Sequence, residues 1–481
     1  MRKRFDQQLS LGATPISEVK IRIKGRDEMP PVLLGLQTIF TTPELNEKTF
    51  VILEDTILKG KKNTGRNGMD LWHILVLSVV RHACNTNWDK LEYYANNDMS
   101  MRAIMGLHFS SFNDDFLFFE YQNILDNVSL LDAETLNKIN ALVVEYGIKL
   151  FKKKEDQALE LKADSFALET NVHFPTDLNL LWDSLRVTLR LLGKQLKDKP
   201  EVKGWRKLKS IVTVTKSIYR SCSQAVFKGK KEDYKKEMVR LYLNHASGVM
   251  NRVNDYLEKY PNAEMRKYND YVLKFTDQIE RRLIKGQIIP SEEKVYSIFE
   301  EHTEWLSKGK RSPELGNNIL ITTNQNHLIV DYKIMYKEKD PSQIESLLAR
   351  LKENFPNQKI ESLSTDKGFY SKDNKQQCQD AKIGNVIMPK KGKPTKEEYE
   401  SEHTETFISL RRRHSAVESN INMLEHHGLN RCPDRGIPHY EKYVALSVLA
   451  YNLHHIGNEL VRQRREKERI ALQRKGYRQA A

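Results

Sequence analysis

The chain has 481 residues, 39% hydrophobic and 30% charged, a length that predicts two or three domains and a composition that excludes a globally disordered chain. Its 78 lysines and arginines exceed its 64 aspartates and glutamates, giving a net charge of +14. This surplus favours a polyanionic partner such as nucleic acid, although an indifferent basic surface has the same composition. We predict a cytoplasmic chain with no membrane partner on three observations. The four cysteines are scattered, the first residues do not resemble a secretion signal, and no apolar run is long enough to cross a bilayer.

The N-terminal part, residues 1–150, is predicted to be a mostly helical domain that binds DNA. A loop of glycines and cations at 59–68 precedes an apolar helix at 69–83. Such a loop can approach a phosphate backbone closely, although a solvated linker has the same composition. Two short helices at 89–95 and 101–107 also fit a helix-turn-helix, a pattern shared by helical hairpins that bind nothing. The loop residues that we assign to DNA are Lys61, Lys62 and Arg66.

The first strand signal lies at residues 158–166, where apolar and polar side chains alternate. The alternation places Asp164 on the polar side of this strand. A polar stretch at 169–177 follows, as is typical of a strand end beside a cleft. An aspartate at such a position is also commonly a turn residue.

A helical segment interrupts the strand pattern at residues 178–300. Its four long helices are predicted at 178–196, 202–227, 233–259 and 263–288. We interpret the segment as a helical insertion whose cations form a solvated outer face or touch DNA.

Strands resume after the insertion with a hairpin at 319–336 around a turn at 324–326. A helix starting near Asp340 leads to a strand at 360–365, which ends in Asp366. Another strand at 385–388 and a basic loop follow. The final elements are a helix at 407–428, with Glu418 at the edge of its apolar stripe, and a C-terminal helix at 440–472 with a basic tail.

This order of elements predicts an α+β multi-domain protein with an RNase H-like mixed β-sheet flanked by helices, a large helical insertion and a helical N-terminal domain. In that fold, acidic residues lie on the first strand, the fourth strand and the last helix. The catalytic domain is predicted at 151–177 and 301–437, and the C-terminal helix and tail at 438–481.

Several ordered motifs carry a family resemblance across nearly the whole chain. They are MRKRFDQQL at 1–9, ADS at 163–165, ETNVHFPTD at 169–177, HTEW at 302–305, KGK at 308–310, ELG at 314–316, DKGFYS at 366–371, RHSAVES at 413–419 and GLNRCP at 428–433. On these motifs the sequence resembles DDE transposases of bacterial insertion sequences, most closely the group often filed as ISNCY-type.

The resemblance implies that Asp164, Asp366 and Glu418 form a catalytic, metal-binding triad for two Mg²⁺ ions, with Mn²⁺ as a substitute. Carboxylate oxygens suit these hard cations and argue against zinc. Three carboxylates about 5 Å apart repel by roughly 3 kcal/mol per pair at an effective dielectric of 20. We therefore expect a metal-free site that is loose or that holds one protonated carboxylate.

One departure from the family pattern concerns the last helix. Some relatives carry Arg four residues before the catalytic Glu and Lys seven residues after it, whereas this chain has His414 and Glu425 there. Arg413 is the candidate replacement for the phosphate contact. A hairpin-forming pathway therefore does not carry over to this chain.

Several other residues are assigned to DNA. His173 and His414 have an alternative explanation as histidines packed within the protein. Trp305 is a candidate for stacking on an unpaired terminal base, and its alternative explanation is a core tryptophan. The full set outside the N-terminal loop is His173, Trp305, Lys308, Lys310, Lys367, Lys390, Lys391, Arg413 and His414.

The leading hypothesis is a Mg²⁺-dependent DNA transposase that binds the terminal inverted repeats of its element, cleaves the ends and joins the 3′-OH to target DNA. Its partners are double-stranded DNA and, in the DNA complex, a second copy of the chain, and we expect it on the nucleoid of the bacterial cytoplasm. The alternatives are a non-catalytic DNA-binding protein derived from a transposase and an RNase H-fold nuclease that cuts without joining. The sequence does not define the repeat, the target site, the donor-cutting pathway or the oligomeric state.

Overall fold

The structure is a computed structural model in which the chain divides into two compact units. One unit comprises Met1–Glu169 and Gly316–Ala481, and the other comprises Thr170–Leu315. The predicted insertion, 178–300, lies within the second unit. The structure describes residues 2–5, 14–23, 27–60, 68–107, 117–151, 158–199, 202, 204–229, 231–307 and 313–480, with the backbone alone for 474–480.

The N-terminal part of the first unit is helical, as predicted. Its helices are α1 Met29–Thr41, α2 Pro43–Ile57, α3 Leu71–Ala83, α4 Trp88–Asn97, α5 Met99–Ile104, α6 Tyr121–Val128 and α7 Ala133–Phe151. Proline in the first turn starts α1 and α2, and the Asn87 side chain caps α4 by accepting from the backbone N–H of Lys90. Every residue of α3 is buried, so the most apolar run of the sequence forms the centre of this core.

The strands are β1 Leu159–Glu169, β2 Glu304–Leu306, β3 Glu314–Thr323, β4 Ile329–Met335, β5 Ile360–Thr365 and β6 Asn385–Ile387. In the first unit they form a mixed sheet in the order β4-β3-β1-β5-β6. β1 is antiparallel to β3 and parallel to β5, and β5 is parallel to β6. The predicted hairpin is confirmed by the antiparallel pairing of β3 and β4.

The helices after the hairpin are α12 Ile344–Asn354, α13 Lys372–Asp380, α14 Lys396–Glu402, α15 Glu405–His414, α16 Ala416–Leu424 and α17 Ile437–Ala480. A mixed sheet flanked by helices in this order confirms the predicted α+β, RNase H-like fold class.

The prediction of one helix over 407–428 was wrong. The chain forms α15 and α16 with a break at Ser415, whose hydroxyl donates to the carbonyl of Arg412 at 2.9 Å. This local bond competes with continuation of the helix. A π-helical turn, Glu425–Leu429, follows α16 and contains Gly428 at φ 101°.

The long helix α17 anchors the hairpin and α16. The Asn452 amide donates to the Ile329 carbonyl at 2.9 Å and accepts from the Ile329 N–H at 2.9 Å. The Tyr451 hydroxyl donates to the Asn420 side chain of α16 at 3.1 Å. The helix extends beyond the predicted end at 472.

The second unit is a helical bundle, as predicted for the insertion. Its helices are α8 Asp177–Asp198, α9 Leu208–Phe227, α10 Glu232–Lys259 and α11 Ala263–Ile279, which continues as a π-helical turn, Glu280–Ile284. Residues such as Leu181, Val253 and Phe275 form its own buried core. Across the described parts of both units, none of the helices has the length and apolar character that crossing a bilayer requires.

Candidate active site

Two of the predicted triad residues lie at neighbouring positions on adjacent parallel strands. Ala163 of β1 pairs with Thr365, the last residue of β5, so that Asp164 and Asp366 follow a matched pair. Asp366 begins the turn Lys367–Phe369, immediately after β5 ends. Because adjacent strands lie about 4.8 Å apart, the register indicates that the backbone positions of Asp164 and Asp366 are neighbours, with Asp366 just beyond the end of β5.

The helix that carries Glu418 packs on the face of β1 that includes Asp164. Alternation along a strand puts Asp164 on the same face as Phe166 and Leu168. These two side chains share a buried cluster with Val417 and Ile421 of α16. Glu418 follows Val417 directly and is exposed.

The described residues contain no group of three or more His, Cys, Asp or Glu side chains placed to hold a metal ion. The three elements of the predicted site nevertheless lie within one unit. The convergence of the three carboxylates on one ion stays a prediction.

Arg411 of α15 binds the second aspartate. Its guanidinium donates to the Thr365 carbonyl at 3.0 Å and to Asp366 Oδ1 at 3.2 Å. Burial raises the pKa of Asp366, but hydrogen bonds from the Lys367 backbone and from Arg411 outweigh burial and lower the pKa below its usual value. Asp366 is thus ionised rather than protonated, and the compensating cation is a residue of the chain itself.

His414 is a packed histidine in this structure. The side chain is buried, and desolvation, with the positive charge of Arg411 as a second cause, lowers its pKa to about 4. The imidazole is therefore neutral at pH 7, and within the described residues its Nδ1 has no hydrogen-bond partner. This environment matches the packed-histidine interpretation, and the role in DNA binding stays a prediction.

Arg413 and Lys162 lie on the same side of the sheet as Asp164. Arg413 forms an ion pair with Glu160 at 2.5 Å, near the start of β1 and four residues before Asp164. Lys162 is buried, and desolvation lowers its pKa. Sequence reasoning gave Lys162 no role, although the alternation of β1 had already put it beside Asp164.

The cations near the turn after β5 differ in their partners. Lys367 and Lys391 are exposed. Lys390 forms an ion pair with Glu398 at 2.5 Å, and Glu398 accepts a second bond from the Tyr370 hydroxyl at 2.6 Å. These bonds, chiefly the one from Lys390, hold the pKa of Glu398 well below its usual range, and the same carboxylate raises the pKa of Tyr370 to about 12. The basic loop is thereby tied to the segment that follows Asp366.

A further carboxylate that sequence reasoning did not assign to the site is Asp340. Its Oδ1 accepts from the Ser165 hydroxyl at 2.8 Å, on the opposite face of β1 from Asp164. A Cβ at Gly368 would lie 3.0 Å from Asp340 Oδ2. Asp340 therefore lies against both β1 and the turn after β5, and only the tertiary structure reveals this position.

Two of the predicted DNA contacts belong to the second unit. The His173 ring lies 3.4 Å from the Asp183 carboxylate and is mostly exposed. Trp305 is 40% exposed, and its ring contacts Phe174 and Tyr296 with centroid distances of 5.8 and 5.7 Å. Lys61, Lys62, Arg66, Lys308 and Lys310 lie outside the described residues.

The donor set of the site fits a hard divalent cation. Asp164, Asp366 and Glu418 offer carboxylate oxygens, the ligands that Mg²⁺ and Mn²⁺ prefer. The Arg411 guanidinium already contacts Asp366, which indicates that this position attracts positive charge.

Comparison with known proteins gives one match. Residues 283–453 match a family model described as "Transposase DDE domain". The matched region is under half of the chain and includes Asp366 and Glu418 but not Asp164. Searches of curated proteins and of solved structures returned no match. Residues 283–453 are therefore similar to the transposase DDE domain, and this similarity supports a DDE transposase.

Proposed function

We propose that the chain is a divalent-metal-dependent DNA transposase of the ISNCY type, which binds the ends of its element, cleaves them and joins the 3′-OH to target DNA. The observation that supports the proposal is the register of β1 and β5, in which Asp164 and Asp366 each follow one member of the pair Ala163 and Thr365. The helix that bears Glu418 packs on β1 through Val417 and Ile421. The family match over 283–453 supports the same conclusion. The proposed setting is the nucleoid of the bacterial cytoplasm, with a homodimer on the DNA.

In this proposal Asp164, Asp366 and Glu418 hold the metal. When bound, Mg²⁺ supplies activation of a water or 3′-OH nucleophile and stabilisation of the leaving 3′ oxygen. The exposed cation Lys367, directly after Asp366, binds the scissile phosphate. The Arg411 guanidinium balances the charge of Asp366 and keeps the carboxylate ionised, and it would compete with a divalent ion for this carboxylate.

The second candidate, a non-catalytic DNA-binding protein, is favoured by one observation. Among the described residues no three potential ligands are placed to hold an ion. The deciding experiment is incubation of the chain with its flanking inverted repeats and Mg²⁺, followed by mapping of the cut strands. Nicks at the repeat ends support the transposase, and binding without nicks supports the second candidate. Joining of the cut end to a target plasmid separates a transposase from a nuclease.

Substitution Arg411→Ala is expected to tighten binding of Mn²⁺, because the guanidinium and the ion compete for Asp366. The Asp366 and Arg411 side chains are 52% and 32% exposed. An ion pair this exposed contributes at most about 1 kcal/mol, so the Kd should fall by up to about fivefold. The lowered pKa of Asp366 should also rise towards its usual value, so the loss of Mn²⁺ binding on acidification should begin at higher pH.

Isothermal titration calorimetry across a pH series measures both effects of Arg411→Ala. Arg412→Ala is the matched control, because Arg412 is exposed on the same helix and no described carboxylate pairs with it. Weaker Mn²⁺ binding in Arg411→Ala would show instead that the arginine orients Asp366 for the ion.

Substitution Trp305→Ala is expected to weaken binding to DNA ends that carry unpaired bases. The exposed indole, beside Phe174 and Tyr296, offers a flat surface on which a base can stack. Stacking contributes about 1–3 kcal/mol per base. Fluorescence anisotropy with blunt and overhang duplexes should show the loss for the overhang alone. Tyr234→Ala, at an exposed tyrosine of α10, is the control, and an equal loss for both duplexes would exclude stacking.

A further inference from the structure

An extended segment near the N-terminus presents two cations in a row. In residues 19–23, Val19 and Ile21 are buried, whereas Lys20 and Arg22 are exposed. The side-chain amide of Gln37 in α1 donates to the carbonyls of Ile16 at 2.7 Å and Val19 at 3.0 Å, which fixes the segment on the helix. In an extended chain, alternate residues lie about 6.6 Å apart on one side. Lys20 and Arg22 therefore lie on the same, exposed side of the segment. The two bonds from Gln37 hold the backbone that carries them.

The C-terminal half of α17 completes a groove with this segment. The Arg465 guanidinium donates to the Ile23 carbonyl at 2.7 Å and ties the helix to the extended segment. The groove has a volume of about 690 Å³ and contains four cationic side chains and one carboxylate. The charged side chains that line the groove are Lys20, Arg22, Arg464, Arg465 and Glu468.

The cations of this groove lack the partners that neighbouring arginines have. Arg462 and Arg469 of α17 pair with Glu459 and Glu466, three residues away on the same helix. Lys20, Arg22 and Arg464, by contrast, form no ion pair with any carboxylate in the part of the chain that the structure describes. A concave surface on which cations outnumber carboxylates attracts a polyanion, and binding gains free energy from the release of the polyanion's counterions.

We propose that this groove binds the phosphate backbone of double-stranded DNA without reading its sequence. The groove contains no member of the carboxylate site, and the binding needs no metal and no strand cleavage. Binding by the groove goes beyond the proposed transposase chemistry, because it adds a second DNA contact that holds the duplex outside the site of cutting. The partner is a duplex because its phosphates repeat at a regular spacing, and the cations of the groove stand on two walls joined by the Arg465 bond, an extended segment and a helix.

The test measures binding of the full chain to a fluorescein-labelled 30-base-pair duplex of arbitrary sequence, in EDTA, over a series of salt concentrations. The variant combines Lys20→Gln, Arg22→Gln and Arg464→Gln. Each lost phosphate contact reduces the slope of log K against log salt by about 0.9, so the slope should flatten by about 2 to 3. At low salt the affinity should fall at least about tenfold.

Two matched variants make the result specific to the groove. Lys209→Gln, Lys216→Gln and Lys352→Gln together remove the same charge from exposed positions elsewhere and should change the slope by less than about 1. Arg22→Lys with Arg464→Lys keeps the charge and should bind within about threefold of the unchanged chain. Thermal melts confirm that all variants fold, as expected for exposed substitutions.

Three outcomes would overturn the proposal. The first is a groove variant whose slope of log K against log salt is unchanged. The second is a control variant that loses as much affinity for DNA as the groove variant does. The third is a groove variant that loses binding to phosphatidylserine vesicles but still binds DNA. The last result would assign the groove to an anionic membrane surface. Because the assay is run without divalent metal, its result does not depend on whether the chain cleaves DNA.

Discussion

Asp164→Asn, Asp366→Asn and Glu418→Gln are each expected to reduce cleavage at the element ends by about 10³-fold or more, while binding to those ends is unchanged or tighter. Each substitution keeps the size of the side chain but removes the negative charge that would hold a divalent ion. A phosphodiester is itself anionic, so loss of a carboxylate from the protein lowers repulsion in the bound state. The reaction, in contrast, loses the ligand on which its charge stabilisation depends.

The structure makes the Asp366 and Glu418 variants especially suitable for testing. Glu418 is exposed, and the Asp366 side chain is 52% exposed, so neither substitution opens a cavity in the core. Asp366→Asn gives up the ion pair with Arg411, which at this exposure is worth at most about 1 kcal/mol. We therefore expect the Asp366 and Glu418 variants to stay folded, and a thermal melt of each of the three variants separates a loss of cleavage from unfolding.

Two charge-matched controls accompany the triad variants. Glu425→Gln removes one negative charge seven residues after Glu418, and Asp373→Asn removes one from the first turn of α13. Neither residue belongs to the predicted triad, so both variants should cleave within about twofold of the unchanged chain, as is usual for surface positions. Strand mapping on gels with Mg²⁺ gives the rates. A triad variant that still cuts at the control rate would move the active site elsewhere.

Sequence periodicity predicted the two strands of the candidate site and the apolar face of the helix that carries Glu418, although it missed the break at Ser415. The alternation along β1 identified the face of Asp164, and the turn after β5 marked Asp366. The apolar stripe of Val417 and Ile421 identified the helix face that packs on β1. These patterns are local, and each depends on one period, two residues for a strand or 3.6 for a helix.

The partners of the site residues were beyond reach of the sequence because they depend on tertiary contacts. Arg411 lies 45 residues from Asp366, and Asp340 lies 175 residues from Ser165. At the break, the Ser415 hydroxyl donates to the Arg412 carbonyl, a bond that competes with the backbone hydrogen bonds of the helix. The spacing of apolar residues does not reveal this competition. The lowered pKa of Asp366 was likewise not predicted, because the charge argument omitted the arginine that pairs with this aspartate. The expectation of a loose site or of one protonated carboxylate stays a prediction.

Gly457→Ala is expected to destabilise the first unit by about 3 kcal/mol, because α17 and α1 touch backbone to backbone at this point. A Cβ at Gly457 would lie 1.8 Å from the Pro31 carbonyl oxygen, and one at Gly35 would lie 2.4 Å from the Leu453 carbonyl oxygen. Each helix thus contributes one glycine to the crossing. The obstacle is main chain on both sides, so no side-chain rotation relieves the clash, and the helices must separate.

The control for Gly457→Ala is Gly248→Ala in α10, where a Cβ would meet nothing within 4 Å. Alanine is a better helix former than glycine by about 1 kcal/mol, so this variant should be slightly more stable than the unchanged chain. The same substitution in two helices should therefore shift stability in opposite directions. Urea denaturation measures both changes, and hydrogen exchange should locate the loss from Gly457→Ala in α1 and α17. Stabilisation by both substitutions would mean that α1 and α17 are not in direct backbone contact, and the anchoring of the hairpin and α16 by α17 would then need another explanation.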